Sequence, residues 1–204
     1  MSKIIKGQLE ETVTIEKAVY KYGCILDDQL ADFVPPSKKF ENKENPHISI
    51  INHLIAIRHI EMHEGVLYPA QKLEYKQDMI DSIWVMLDYL RYVENAPHPS
   101  EMMKRSLYAE HPCTLTFIPT AKPMIKTLCI YDKLQITDVL FEQERYKGQD
   151  FGEEDAGNLL YLIIVKSEAV LDALGDLEII LPHKIAYMEQ EGNNRPNIRY
   201  FSPE

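Results

Sequence analysis

The sequence predicts an α+β protein built in two parts, and three observations lead to this prediction. Helix-like spacing of apolar residues dominates residues 1–95. Strand-like runs, interrupted by two helix patterns, dominate residues 96–204. Between them lies Glu94–Pro99, where two prolines within three positions favour a boundary. We therefore expect a mainly helical domain over 1–95 packed with a smaller mixed α/β domain over 96–204.

Three helices are predicted before residue 61. The first spans Val13–Tyr22, and Gly23 stops it. The second is short, Gln29–Val34, and follows two aspartates that can cap it. The third covers about His47–Ile60 and is strongly apolar on one side. The polar stretch before this third helix predicts an exposed loop.

A short β-hairpin is predicted around Gly65, because glycine suits the turn and both flanks can pair as strands. The order helix, short helix, loop, helix, hairpin is that of a winged helix-turn-helix domain. The same order also occurs in domains that bind only protein, and this alternative stays open. A strong fourth helix, from Asp78 or Asp81 to about Val93, completes the N-terminal domain.

The C-terminal half alternates between strand and helix patterns. The predicted strands are Cys113–Ile118, Met124–Tyr131, Leu159–Val165, Leu177–Leu181, Ala186–Glu191 and Asn197–Phe201. The predicted helices are Leu134–Tyr146 and Ser167–Leu174. In the first of these helices, the residues expected to face inward are Leu134, Val139, Leu140 and Phe141.

Composition and charge exclude several classes of protein. The chain has 204 residues, 45% of them hydrophobic, so it can bury a sizeable core without disulfides or a structural metal. Its net charge of −10 argues against broad, sequence-independent binding of nucleic acid, which requires many Lys and Arg at the phosphates. Three widely spaced cysteines indicate reduced thiols in a cytoplasmic protein. The longest apolar run is too short to cross a bilayer, so no membrane partner is expected.

A mixed sheet that begins with a hairpin resembles restriction-endonuclease-like folds, which raises the question of catalysis. Such folds place an acid on one strand and an acid-x-Lys on the next, because the metal needs carboxylates and the lysine assists the attacking water. Asp132 could be the first acid. On the next strand, however, Ile164 stands where the carboxylate before Lys166 belongs. We therefore predict a degenerate, non-catalytic form of this fold that uses no cofactor.

A second possible chemistry is a zinc site formed by His59 and His63, with Glu64 beside them. On a helix this spacing puts both imidazoles on one face. The metalloprotease motif needs Glu directly after the first His, and this chain has Ile60 there. We prefer to interpret these residues as polar positions at the end of a helix, and no metal is predicted. Nucleophile-elbow, phosphate-loop and dinucleotide-binding motifs are also missing from the sequence, so an enzyme is not predicted.

The predicted DNA-binding surface is the polar side of the helix over 47–60. Asn52 and His53 could reach base edges, and Ser49 or Arg58 could contact base or phosphate. Further candidate contacts, before the helix and on the hairpin, are Lys38, Lys39, Lys43, His63 and Tyr68. Residues 1–95 carry 11 basic and 15 acidic residues, so a monomer would bind double-stranded DNA weakly and a homo-oligomer is expected. If no DNA binds, the same helix would serve a protein contact.

Three segments resemble winged-helix proteins carried by conjugative elements of Gram-positive bacteria, which are similar to replication-relaxation proteins. These segments are Tyr22–Leu30, Arg58–Pro69 and Asp81–Leu90. The resemblance spans nearly the whole chain. It implies a non-catalytic, DNA-binding accessory or regulatory role in the replication, transfer or transcription of a mobile element, with other proteins of that element as partners.

Overall fold

A computed structural model of the chain describes residues 6–33, 46–92, 99–119, 123–148, 158–190 and 194–202. It is an α+β structure with a three-stranded sheet, a mixed six-stranded sheet and several helices. The chain divides into two compact units. The first unit comprises Met1–Ile80 with His98–Met103, and the second comprises Asp81–Pro97 with Lys104–Glu204. The chain therefore passes from one unit to the other at Ile80/Asp81, inside the predicted fourth helix, at Pro97/His98, within Glu94–Pro99, and at Met103/Lys104.

The first unit contains the three predicted helices and the predicted hairpin. Its elements are α1 (Lys6–Tyr22), β1 (Ile25–Leu26), α2 (Asp27–Phe33), α3 (Pro46–Ala56), β2 (Ile60–His63) and β3 (Val66–Pro69). The three strands form an antiparallel sheet in the order β1-β3-β2. Strand β1 was not predicted, since two residues carry no periodicity of their own. The helices and the sheet enclose a core that includes Ile15, Val19, Leu30, Phe33, Leu54 and Leu67.

Glycine ends α1 and forms the hairpin turn as predicted. Gly23 has a φ of 73° and its N–H donates to the carbonyl of Val19 at 2.9 Å, which terminates α1. In the turn between β2 and β3, Glu64 and Gly65 have φ values of 51° and 79°. Two consecutive residues in the left-handed region give the backbone twist that a two-residue hairpin requires.

Helix α3 ends four residues before the predicted Ile60, because Arg58 adopts a left-handed φ of 60°. The Arg58 N–H donates to the carbonyl of Ile55, and the His59 N–H donates to that of Leu54, each at 2.9 Å. This pair of hydrogen bonds closes the helix in the way that a C-terminal glycine usually does. Because the segment has no glycine, its amino-acid pattern does not indicate that the helix ends here.

Two helices, α4 (Gln77–Tyr92) and α5 (Pro99–Arg105), include residues of both units. The other elements of the second unit are β4 (Ser106–Tyr108), β5 (Leu115–Phe117), β6 (Met124–Ile130), α6 (Ile136–Lys147), β7 (Leu159–Val165), α7 (Glu168–Gly175), β8 (His183–Glu189) and β9 (Asn197–Phe201). A short 3₁₀ turn, Lys133–Gln135, leads into α6. The strands form one sheet in chain order, in which β6, β7 and β8 are parallel and the other neighbours are antiparallel.

The predicted strand Leu177–Leu181 does not form. The position beside β7 is filled by β8, whose His183 pairs with Tyr161, so residues 177–181 only connect α7 to β8. The buried side chain of Gln143 holds this connection: its Oε1 accepts the N–H of Ile180 at 3.0 Å. An apolar run of strand-like composition therefore serves as a loop, because a neighbouring segment takes its place in the sheet.

The predicted inward face of α6 is also wrong. Of the four predicted positions, only Val139 is buried, whereas Leu134 is 83% exposed and Phe141 is 54% exposed. The helix turns the polar residues Glu142 and Gln143 inward instead. Both have partners in the interior, since Gln143 holds the loop before β8 and Glu142 forms the ion pairs described below. Hydrogen bonds and ion pairs to these side chains offset the free-energy cost of removing them from water.

Candidate nucleic-acid interface

Helix α3 presents a polar face to solvent. Ser49, Asn52 and His53 are all exposed, and spacings of three and four residues place them on one side of the helix. The opposite side is buried and carries Ile50, Ile51 and Leu54. The structure therefore brings three of the predicted contact residues together on an accessible surface.

Arg58 and His59 lie in the turn after α3 and do not belong to its polar face. Arg58 is exposed at the C-terminal end of the helix. The Nδ1 atom of His59 lies 2.6 Å from a carboxylate oxygen of Glu16, and its carbonyl accepts the hydroxyl of Tyr20 at 3.1 Å. These contacts attach the turn to α1, and they fix the position from which Arg58 extends.

The two predicted hairpin contacts differ in accessibility. His63 is exposed, and its Nε2 lies 3.6 Å from a carboxylate oxygen of Glu61. Tyr68, in contrast, is only 6% exposed, so it offers little surface for the DNA contact predicted for it. It belongs to β3, the central strand of the sheet, whose four residues are all buried. Burial raises the pKa of its hydroxyl, and the nearby Cys24 adds to this effect.

The candidate interface has few positive charges. Within Pro46–Pro69, Arg58 is the one Lys or Arg, and Glu61 and Glu64 are both on or beside the hairpin turn. The candidates Lys38, Lys39 and Lys43 lie outside the described residues. Any DNA contact by the described part of this surface must therefore depend on hydrogen bonds to bases more than on attraction to phosphates.

His59 and His63 do not have the helical spacing that the zinc alternative requires. His59 lies in the turn after α3 and His63 lies in β2, so the two imidazoles are not one turn apart on a helix. His59 is instead paired with Glu16. In the part of the chain that the structure describes, no three His, Cys, Asp or Glu side chains group in a way that could hold a metal ion.

The two residues considered for nuclease chemistry have other roles. The carboxylate of Asp132 accepts the N–H groups of Leu134 and Gln135, at 2.8 and 3.1 Å, and so caps the 3₁₀ turn. Lys166, at the end of β7, lies 2.8 Å from Oδ1 of Asp81. A carboxylate from α4 thus neutralises the lysine that the nuclease interpretation assigned to catalysis.

Sequence reasoning offered Asp81 only as a possible start of the fourth helix and did not predict that it is completely buried. Its Oδ2 accepts the hydroxyl of Tyr131 at 2.8 Å, and Lys166 also contacts Gln190 at 3.4 Å. Burial raises the pKa of the Tyr131 hydroxyl, and the neighbouring Cys129 and the Asp81 carboxylate act in the same direction. Tyr131 therefore stays protonated and donates. The partners are far apart along the chain, so no motif could have indicated this cluster.

A second buried cluster surrounds Glu142, which is 1% exposed. Its carboxylate lies 3.3 Å from Lys126 Nζ and 3.1 Å from Arg145 Nη1, and it accepts the hydroxyl of Tyr161 at 2.9 Å. Arg145 also reaches a carboxylate oxygen of Glu110 at 2.6 Å. Burial raises the pKa of Tyr161, and the Glu142 carboxylate adds to the shift. Each charge has a partner, so this cluster connects α6, the sheet and the loop after β4.

Comparison with known proteins does not indicate a function, so a functional assignment depends on the geometry of the chain. No family model, curated protein or solved structure matches it. Among the described residues, no helix has both the length and the apolar character needed to cross a lipid bilayer.

Proposed function

We propose that the first unit is a winged helix that binds double-stranded DNA through α3, and that the protein is a non-catalytic accessory or regulatory factor of a mobile element. The observation that carries the proposal is the exposed polar face of Ser49, Asn52 and His53. A helix with such a face can enter the major groove, where asparagine makes paired hydrogen bonds with adenine.

The arrangement of elements supports the winged-helix assignment. The order α1, β1, α2, α3, β2, β3 is that of three helices followed by a hairpin, with one short strand after the first helix. This short strand, β1, pairs with β3, so β1 and the hairpin together form one small three-stranded sheet. The sheet anchors the hairpin directly after α3, which is where a wing stands relative to a recognition helix.

Charge determines what kind of DNA binding we expect. With Arg58 as the one Lys or Arg of Pro46–Pro69, this segment of each copy neutralises few phosphates. Binding should therefore be weak for random DNA and should depend on base contacts from Asn52. The acidic residues Glu61 and Glu64 should lower affinity wherever the hairpin approaches the phosphate backbone.

The second unit supports a non-catalytic role. We propose that its sheet is a degenerate restriction-endonuclease-like domain that serves assembly. Ile164 is fully buried where such a nuclease would need a carboxylate. Lys166 is paired with Asp81, and Asp132 caps a turn.

The test is selection from a pool of random duplexes of about 30 base pairs, a length that covers two half-sites one or two turns apart. We expect the full-length protein to enrich a sequence at low salt. Asn52→Ala should then weaken binding of that sequence by about tenfold. Asn197→Ala, an exposed asparagine of the second unit, is the matched control and should bind like the unchanged protein.

The proposal fails if folded protein neither enriches any duplex nor retards one at about 50 mM or about 200 mM salt. It also fails in its main point if a duplex is enriched but Asn52→Ala and Asn197→Ala bind it equally. In that case another surface of the protein reads the DNA.

A second candidate function is a protein contact through the same helix. It is favoured by Ile48 and Ile57, two exposed apolar residues near the ends of α3. Under this alternative no duplex is retarded. The changes Ile48→Glu and Ile57→Glu would abolish a protein complex that Asn52→Ala preserves.

A further inference from the structure

We propose that DNA binding by the first unit depends on protons, because protonation of His53 and His63 supplies the positive charge that the candidate interface otherwise lacks. Binding should then be tighter at about pH 6 than at about pH 8. The inference rests on the proposed function, since it concerns the regulation of the same site. It is argued from the exposed side chains of α3 and of the hairpin.

Histidine is concentrated in the segment that forms this interface. Pro46–Pro69 contains four of the seven histidines of the chain, namely His47, His53, His59 and His63. The same segment has Arg58 as its one Lys or Arg, and it carries the acidic residues Glu61 and Glu64. Imidazole is the side-chain group that ordinarily changes its charge between about pH 5 and pH 8. The net charge of this segment is therefore negative when its histidines are neutral, and it becomes positive once two of them are protonated.

His53 is well placed to contribute a positive charge. It is exposed on the polar face of α3, beside Asn52 and in the last turn of the helix. The negative end of the helix dipole makes this turn a favourable place for a cation. In the two elements that contact α3, Glu16 of α1 lies against His59 and Glu61 of β2 lies against His63. Among the described residues no carboxylate forms an ion pair with His53, so a proton on its ring remains available to a phosphate.

His63 acts on the charge of the hairpin. It is the last residue of β2, directly before the turn, and it is exposed. Three neighbours surround its ring: the Glu61 carboxylate at 3.6 Å from Nε2, the Tyr68 ring of β3 with 6.2 Å between centroids, and Glu64, which follows it in the chain. Protonated His63 compensates the charge of Glu61, which would otherwise repel the phosphate backbone. Protonation here therefore removes a repulsion, whereas protonation of His53 adds an attraction.

The other two histidines of the segment should contribute little. Nδ1 of His59 lies 2.6 Å from a carboxylate oxygen of Glu16, so a positive charge on this ring is balanced within the protein. His47 is the second residue of α3 and is only partly exposed. The positive end of the helix dipole disfavours a cation in this first turn. The structure thus distinguishes His53 and His63 from the two histidines that lie close to them in the sequence.

The direction of the pH dependence follows from the binding of protons by the complex. Phosphates favour the protonated form of an imidazole that lies close to them, so the complex binds more protons than the free protein does. A state that binds more protons is stabilised as the pH falls. The attraction between two unit charges about 4 Å apart in water corresponds to about a fivefold change in affinity. Two histidines should therefore make binding about tenfold tighter at about pH 6 than at about pH 8.

The experiment measures the Kd of the full-length protein for the duplex obtained by selection, at about pH 6, 7 and 8 and at constant ionic strength. The slope of log K against log salt should also be steeper at about pH 6, by about one to two. His53→Gln and His63→Gln should each reduce the ratio of Kd values between these extremes from about tenfold to about threefold. His53→Lys, which is charged throughout this range, should reduce the ratio as well but keep tight binding at about pH 8.

His111→Gln is the matched control, because it changes an exposed histidine of the second unit, and it should keep the full ratio. Each ratio compares a variant with itself at two pH values. The loss of a base contact in His53→Gln therefore does not affect the result.

A Kd that stays constant from about pH 6 to about pH 8 overturns this inference and leaves the proposed function standing. A pH dependence that both His53→Gln and His63→Gln retain in full also overturns it, because the protons would then bind to other groups. Failure to bind any duplex across the whole pH range refutes the proposed function and this inference together. Binding at the acidic end alone supports both, so the two failures are distinguishable.

Discussion

Lys166 and Asp81 form an ion pair with 2.8 Å between Nζ and Oδ1, and the carboxylate has no exposed surface. The second oxygen of Asp81 accepts the hydroxyl of Tyr131 at 2.8 Å. Within the second unit, these contacts attach the start of its α4 segment to the ends of two parallel strands, β6 and β7. A buried carboxylate in this position stabilises the fold only as long as both partners remain.

We predict that Asp81→Asn destabilises the protein by about 2–4 kcal/mol, because the amide group would face Lys166 or Tyr131 with a donor where an acceptor is needed. Denaturant unfolding followed through the fluorescence of Trp84, the single tryptophan, measures the change. Asp176→Asn alters an exposed carboxylate and should change stability by less than about 0.5 kcal/mol. Equal stability of the two variants would contradict the role given to Asp81.

Glu142→Gln tests the polar cluster that orients α6. The variant keeps the shape of the side chain but removes the charge that Lys126 and Arg145 share, so we expect a loss of about 1–3 kcal/mol in the free energy of unfolding. Glu144→Gln is the matched control on the same helix, since that carboxylate is exposed and should contribute little. A larger loss of stability in Glu144→Gln than in Glu142→Gln would show that the exposed pair of Glu144 and Lys147 contributes more to stability than the buried cluster does.

Stability should fall in alkaline solution because of Cys113. Burial, followed by the charge of Glu142, raises the pKa of this thiol from its ordinary value of 9.0 to about 12. A raised pKa means that between these values the unfolded chain loses a proton that the folded chain keeps. The contribution is therefore complete below about pH 9 and is lost as the pH rises, by up to about 1.4 kcal/mol per pH unit.

Unfolding measured from pH 7 to about pH 10.5 checks this expectation. Cys113→Ala should show a shallower decline than the unchanged protein. At pH 7 the thiol is neutral in both the folded and the unfolded state. The difference between the two proteins in free energy of unfolding at that pH therefore reports packing alone, and it is subtracted from the differences at higher pH. Parallel curves would contradict the assignment.

Glu64→Gln should strengthen DNA binding, if the hairpin lies beside the duplex as we propose. Removal of one negative charge near the phosphates should raise affinity by about two- to fivefold at low salt, and the gain should shrink as salt screens the charge. Glu168→Gln, an exposed position of the second unit, should change nothing. An unchanged affinity for Glu64→Gln would place the hairpin away from the DNA.

Local patterns predicted much of the fold. The strand Leu159–Val165 was predicted with its bounds, because seven consecutive apolar residues suit a strand buried on both faces. The polar face of α3 was predicted from helical spacing, and its three residues are exposed together. In contrast, the burial of Tyr68 was not predicted, since alternation along a short strand does not reveal whether that strand is central in its sheet.

The sequence by itself determined where most helices and strands form, because periodicity, glycine and capping residues act over a few neighbouring positions. Only the tertiary structure decided which side of α6 is buried and which carboxylate meets Lys166. Both outcomes depend on partners that are distant along the chain. Lys126 and Tyr161 contact Glu142 and stabilise it in the interior, and the carboxylate that pairs with Lys166 belongs to Asp81 of α4. A buried charge is tolerated only where such partners converge, and their convergence is a property of the folded chain.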